Sequence, residues 1–142
     1  MSIQQTQAEL IAEFDGMNDW RDRYRRIIEI GRALEPFPEE HRLDENIVKG
    51  CQNTVYLHGE LSDDGTVHFW AESEAAIVRG LVAMLVRAYS GHSPDAIIST
   101  SPDFITKLGL TENLTMNRAN GLASMVKKMK FYALGYKAIA SR

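Results

Sequence analysis

One thiol stands out among the groups in this chain that could do chemistry. Cys51 is the only cysteine in 142 residues, set in IVKGCQNTVYLHGEL (residues 47–61) with Gly50 before it and the amides of Gln52 and Asn53 after it. A single cysteine cannot close an intramolecular disulfide, form a CxxC pair or build a multi-cysteine zinc or iron–sulfur centre. It is either packing material, the common fate of a lone cysteine, or a thiol that works alone. The flanks point to the second role. Gly50 permits backbone angles that a β-carbon forbids, so KGCQ reads as a turn with sulfur at its tip. Reactivity needs the thiolate, and a cysteine with a pKa of about 8.5 is only slightly ionised near neutrality. The adjacent Lys49 and the backbone N–H groups of the turn are expected to favour the anion. Such a thiolate can attack one sulfur of another molecule and carry that sulfur away, as in thiol–disulfide exchange.

A hydrolytic nucleophile would need a histidine base and an oxyanion hole. The four histidines, His41, His58, His68 and His92, match no cysteine-hydrolase spacing, and no two of them show convincing metal-ligand spacing.

The elements that must position Cys51 follow from hydrophobic periodicity. Residues 4–14 suggest a short helix. Asn18 is a candidate cap for a second helix to about Leu34, with Trp20, Tyr24, Ile27, Ile28 and Gly31 on one face. Pro36 and Pro38 stop it, and PEEHR suggests one more turn. Val55, Leu57, Gly59 and Leu61 alternate with polar residues. So do Val67, Phe69 and Ala71, and Asp64-Gly65 between the two runs marks a hairpin. A short strand at residues 45–48 would make a three-stranded antiparallel sheet. Ser73 is a candidate cap for the nearly all-apolar helix at residues 75–89, expected to lie across the inner sheet face. Ser93-Pro94 and Ser101-Pro102 start short helices, and Thr115 caps a last helix from Met116 towards Ala140. Helices, then strands, then helices make an α+β class, expected as one domain over residues 1–142.

Composition bounds the partners. Net charge is -3 and 44% of residues are hydrophobic, which argues against nucleic-acid binding. The clusters Arg21/Arg23/Arg25/Arg26 and Lys127/Lys128/Lys130 read as solvated helix faces. The longest apolar run, residues 81–86, is too short for a membrane span. The opening MSIQQTQAEL has no apolar signal region, so a cytoplasmic location is the expectation.

VKGCQNTVYL, at residues 48–57, resembles the cysteine signature of the SufE family of sulfur-acceptor proteins, approximately V-x-G-C-Q-S-x-V-W. Val48, Gly50, Cys51, Gln52 and Val55 match it, while Asn53 and Tyr56 replace serine and tryptophan. The resemblance continues through WRDRYRRIIEIGRALEPFPEEHR from Trp20. It includes AESEAAIVRGLVAMLVRAYSGHSPDAI from Ala71, with Glu74 where aspartate is common, and LTENLTMNRANGLASMV from Leu110, with Arg118, Gly121 and Leu122 in an R-x-x-G-L core. It implies a fold similar to IscU-type scaffolds, a small antiparallel sheet of about three strands with helices packed on it. It implies that Cys51 accepts sulfane sulfur from a pyridoxal-phosphate-dependent, SufS-like cysteine desulfurase, activates that enzyme, and passes the sulfur from its own persulfide to an iron–sulfur scaffold complex. The pyridoxal phosphate belongs to the partner, and no cofactor is expected of this chain. Gly50 would shape the loop and Gln52 would stabilise it. Arg118 would support the sulfur anion or make a structural ion pair. Glu74 would contact loop or partner, or serve only helix electrostatics. A homodimer is compatible with the resemblance, though no residue pattern demands it. A non-covalent regulatory module for a desulfurase or scaffold, or a small cysteine hydrolase, are the alternatives. Ile47, Val48 and Val55 around the turn suggest that the Cys51 loop rests on an apolar pocket and swings out on docking.

Overall fold

The computed structural model describes residues 1–51 and 53–140. Two helices, α1 (Ile3–Ala12) and α2 (Trp20–Gly31), precede the hairpin of β1 (Val55–Leu61) and β2 (Val67–Ser73). The helices α3 (Ala76–Tyr89), α4 (Pro94–Ser99), α5 (Asp103–Lys107), α6 (Leu110–Asn113) and α7 (Met116–Ala140) follow. The expected α+β order holds.

The hairpin follows from its alternation. Val55, Leu57, Val67, Phe69 and Ala71 are buried, while Tyr56, His58, His68 and Trp70 stay half-exposed on the other face. The register runs from Val55 opposite Ser73 to Leu61 opposite Val67. Among the described residues the sheet has two strands instead of the expected three. Residues 44–46 wind into a 3-10 turn, and the remnant of the expected third strand is a single bridge from Ile47 to Tyr56. The physical reason is Asn46, whose side-chain N–H donates to His41 O at 2.7 Å and so holds the segment curled.

The apolar pattern of α3 buries Leu81, Val82, Met84, Leu85, Ala88 and Tyr89 at the centre of the core, with β2 on one side and α1, α2 and α7 around it. Helices α2 and α3 cross closely at two glycines. A β-carbon on Gly80 would lie 2.0 Å from Ile27 O, and one on Gly31 would lie 2.8 Å from Gly80 N. Two expected caps shift. Asp19, not Asn18, caps α2, accepting from Arg21 N at 2.8 Å. Ser73 is the last residue of β2, so the ladder holds its backbone and α3 starts at Ala76 without a side-chain cap. Ser93 does cap α4. Among the described residues no helix is long and apolar enough to cross a membrane.

Candidate functional site

The Cys51 loop is a short excursion between Val48 and Val55, closed by Val48 N–H donating to Val55 O at 2.8 Å. Its incoming stem is braced from α7. Lys128 Nζ donates to Glu45 O at 2.9 Å and Ile47 O at 3.2 Å, and Tyr132 O–H donates to Asn46 Oδ1 at 2.9 Å. Lys128, read from sequence as part of a solvated face, is therefore a structural clamp, and its burial lowers the ammonium pKa.

Gly50 has φ +89, a left-handed angle that ordinary side chains rarely adopt, and a β-carbon there would lie 2.8 Å from Ser124 Oγ. This bend turns the chain down onto α7. Cys51 then sits half-buried against Gly121, where a β-carbon would come within 3.0 Å of Sγ. The thiol donates a weak 3.8 Å hydrogen bond to Gly121 O. Gly50 and Gly121 are thus the two close approaches that let the loop dock.

Beneath the thiol is a pocket of about 20 Å³, enough for roughly one water-sized guest. Val78, Leu81 and Val82 of α3 supply one wall. Arg118, Gly121, Leu122 and Met125 of α7 supply another, and Asn53 and Val55 complete it. The two helices present these residues at i, i+3, i+4 spacing, the signature of a single helix face. Arg118 is the only charged side chain among these residues. Its Nε–H is buried without a hydrogen-bond partner, and no ion pair engages it among the described residues. The structural ion pair considered for it is absent there.

The resting electrostatics differ from the expectation built on Lys49. Lys49 is exposed, and burial pushes the Cys51 thiol up from its ordinary value. Desolvation penalises the anion, so the docked loop holds a protonated, shielded sulfur and not an activated thiolate.

Glu74 lies apart from this pocket. It is exposed at the β2–α3 junction, its carbonyl accepting from Arg79 at 3.3 Å, in a groove with Phe37, Arg42 and Arg79. Gln52 lies outside the described residues. None of the four histidines lines the thiol pocket among the described residues, so the base that a cysteine hydrolase requires is not beside Cys51. The α3 wall and the seat at Gly121 were missed by sequence reasoning. Their helical spacing is readable, but their convergence on Cys51 depends on the α3–α7 packing.

The family model "SufE: Fe-S metabolism associated domain" matches residues 8–133. An uncharacterized SufE-like protein of Rhizobium etli is 42% identical over 126 residues, spanning 86% of this chain and 85% of that one. Another, of Synechocystis, is 36% identical over 130 residues, spanning 92% and 81%. A third, of Rhizobium meliloti, is 40% identical over 131 residues, spanning 89% and 94%. The solution structure of a hypothetical protein from Thermus thermophilus shares the fold, with a TM-score of 0.77 at 21% identity over 94% of this chain and 96% of that one.

Proposed function

The chain belongs to the SufE family, whose domain is associated with Fe–S metabolism, and from that premise we propose that it is a sulfur acceptor and activator of a pyridoxal-phosphate-dependent cysteine desulfurase. The observation that carries this reading is a solitary thiol seated over a one-atom apolar pocket whose single charged liner, Arg118, keeps a buried N–H without a partner among the described residues.

The chemistry is a displacement. On docking, the Cys51 loop swings out, the thiol regains solvent, and its proton is lost to water. The thiolate attacks the outer sulfur of the donor's persulfide. A new S–S bond forms on Cys51, the donor's S–S bond breaks, and the donor cysteine leaves as a thiolate. No net oxidation occurs. The product is a Cys51 persulfide, with its charge on the terminal sulfur. Redocking would bring that sulfur to the pocket, where the Arg118 guanidinium favours an anion and the apolar walls limit access of oxidants. Delivery to an iron–sulfur scaffold repeats the displacement with Cys51 as leaving group. Gly50 and Gly121 set the docked position, and Lys128 with Asn46 keeps the stem fixed while the tip moves.

Desulfurase stimulation by wild-type protein and by Cys51→Ser tests this reading. Loss of stimulation with an unchanged melting curve is expected. Full stimulation by Cys51→Ser would leave a non-covalent regulatory module and end the relay account.

A further inference from the structure

The outer face of the hairpin carries a second constellation that the thiol chemistry does not use. His58 and Glu60 lie two residues apart on β1, on the opposite face from Val55, which lines the thiol pocket. The 3-10 turn at residues 39–41 lays His41 over them. The imidazoles of His41 and His58 stack with centroids 3.5 Å apart and planes 10° from parallel. Both aim Nε2 at the same oxygen, Glu60 Oε1, at 3.4 Å from His41 and 3.0 Å from His58.

We propose that His41, His58 and Glu60 form a binding site for a divalent transition-metal ion of the zinc class. Two imidazoles and one carboxylate are a donor set that zinc accepts, with a fourth position left to water. Neutral imidazole is the form of histidine that ligates metal. The ligand atoms lie within 4.8 Å of one another. Zinc bonds of about 2.0–2.2 Å bring paired ligand atoms to roughly 4 Å or less, so a small contraction closes the site. Stacked rings cannot both aim lone pairs at one ion, so one ring must turn. His41, on a three-residue turn, is the ring with that freedom. His58 is held by the ladder opposite Trp70 and edge-on by Tyr132 at 6.3 Å. On binding, each neutral ring takes the tautomer with its single proton at Nδ1, which leaves the Nε2 lone pair for the ion.

The backbone of the turn that carries His41 is tied to α7 through Asn46, which leaves the His41 ring free to turn. Asn46, only 6% exposed, donates to His41 O at 2.7 Å and accepts from Tyr132 O–H at 2.9 Å. The ion would tie the turn before the Cys51 loop to β1, so occupancy should stabilise the fold.

Zinc titration of the full chain in a Cys51→Ser background, which removes thiolate ligation, tests the site. One ion per chain is expected by calorimetry, with a melting temperature that rises with zinc concentration. Affinity should fall by at least about 10-fold in His41→Ala and in Glu60→Gln, both at partly exposed positions. Cobalt should give visible d–d bands in the parent and not in those variants. Binding weaker than about 1 mM, or binding unchanged in both variants, overturns the site.

Discussion

Gly121→Ala tests whether the sulfur is seated as the geometry indicates. The added methyl would stand 3.0 Å from Cys51 Sγ and 3.6 Å from both Cα and Cβ of Cys51. Comfortable carbon contacts lie at about 3.5–4.0 Å, so thiol or helix must give by roughly half an ångström or more. The helix is the stiffer partner. Leu122, Met125, Met129 and Ala133 anchor it in the core, and alanine improves its intrinsic helix propensity by about 1 kcal/mol over glycine. Among the described residues the loop is held by the Val48–Val55 hydrogen bond and the weak Cys51–Gly121 contact, so the loop moves and Cys51 gains solvent. Each pKa unit of burial thereby relieved raises the thiolate fraction about tenfold below the pKa, equivalent to about 1.4 kcal/mol. Iodoacetamide alkylation followed against pH reads this directly. The variant should react faster at neutral pH with a midpoint shifted down towards about 8.5, while its melting temperature holds or rises. An unchanged rate and midpoint would refute the seating of Sγ on Gly121. A loss of roughly 1–3 kcal/mol of stability, the usual cost of overpacking, would show that α7 yields instead.

Three further outcomes follow from the same packing. Arg118→Met should lower desulfurase stimulation without lowering the melting temperature, because it removes a charge whose buried N–H has no partner among the described residues; a clear loss of stability would instead mark Arg118 as structural. Gly80→Ala should destabilise by about 1–3 kcal/mol or more in urea melts, since its β-carbon would meet Ile27 O at 2.0 Å, and a neutral result would contradict the close α2–α3 crossing. Glu13 joins α1, α2 and α3. Burial penalises its charge, but hydrogen bonds from Arg87, at 2.6 Å, and from Arg26 outweigh that and hold its carboxyl below the ordinary 4.5. A depressed folded pKa means the contribution is present above the unfolded value and fades as pH falls through the folded one. Glu13→Gln should therefore cost about 1–3 kcal/mol at neutral pH and flatten the acid limb of the stability profile; an acid limb identical to wild type would sink this assignment.

How much was legible depended on whether a signal was local. The hairpin was, because period-2 alternation on both sides of Asp64-Gly65 admits one pairing that buries Val55, Leu57, Val67 and Phe69 together. The third strand was not. Ile47 and Val48 look like strand residues, but the Asn46 side chain takes the His41 carbonyl and curls the preceding segment. Ser73 carried a cap signal, yet the ladder claims it opposite Val55. At the site, the lone thiol and its Gly50 turn could be read from neighbours in sequence. Its electrostatics could not. Lys49 is adjacent but exposed, whereas the desolvation that controls the thiol comes from α3 and α7, far along the chain. The same holds for Lys128 and for the convergence of His41 on His58 and Glu60, each of which exists only once distant segments pack.

Covalent sulfur on Cys51 is read by peptide mass spectrometry. The protein is incubated with a cysteine desulfurase, pyridoxal phosphate and cysteine, then digested without reductant. The expected result is a Cys51 peptide heavier by one sulfur atom, with the added mass removed by a thiol reductant and absent when cysteine is omitted. An unmodified Cys51 peptide, in a mixture where the same protein stimulates the desulfurase, would rule out covalent sulfur transfer through Cys51.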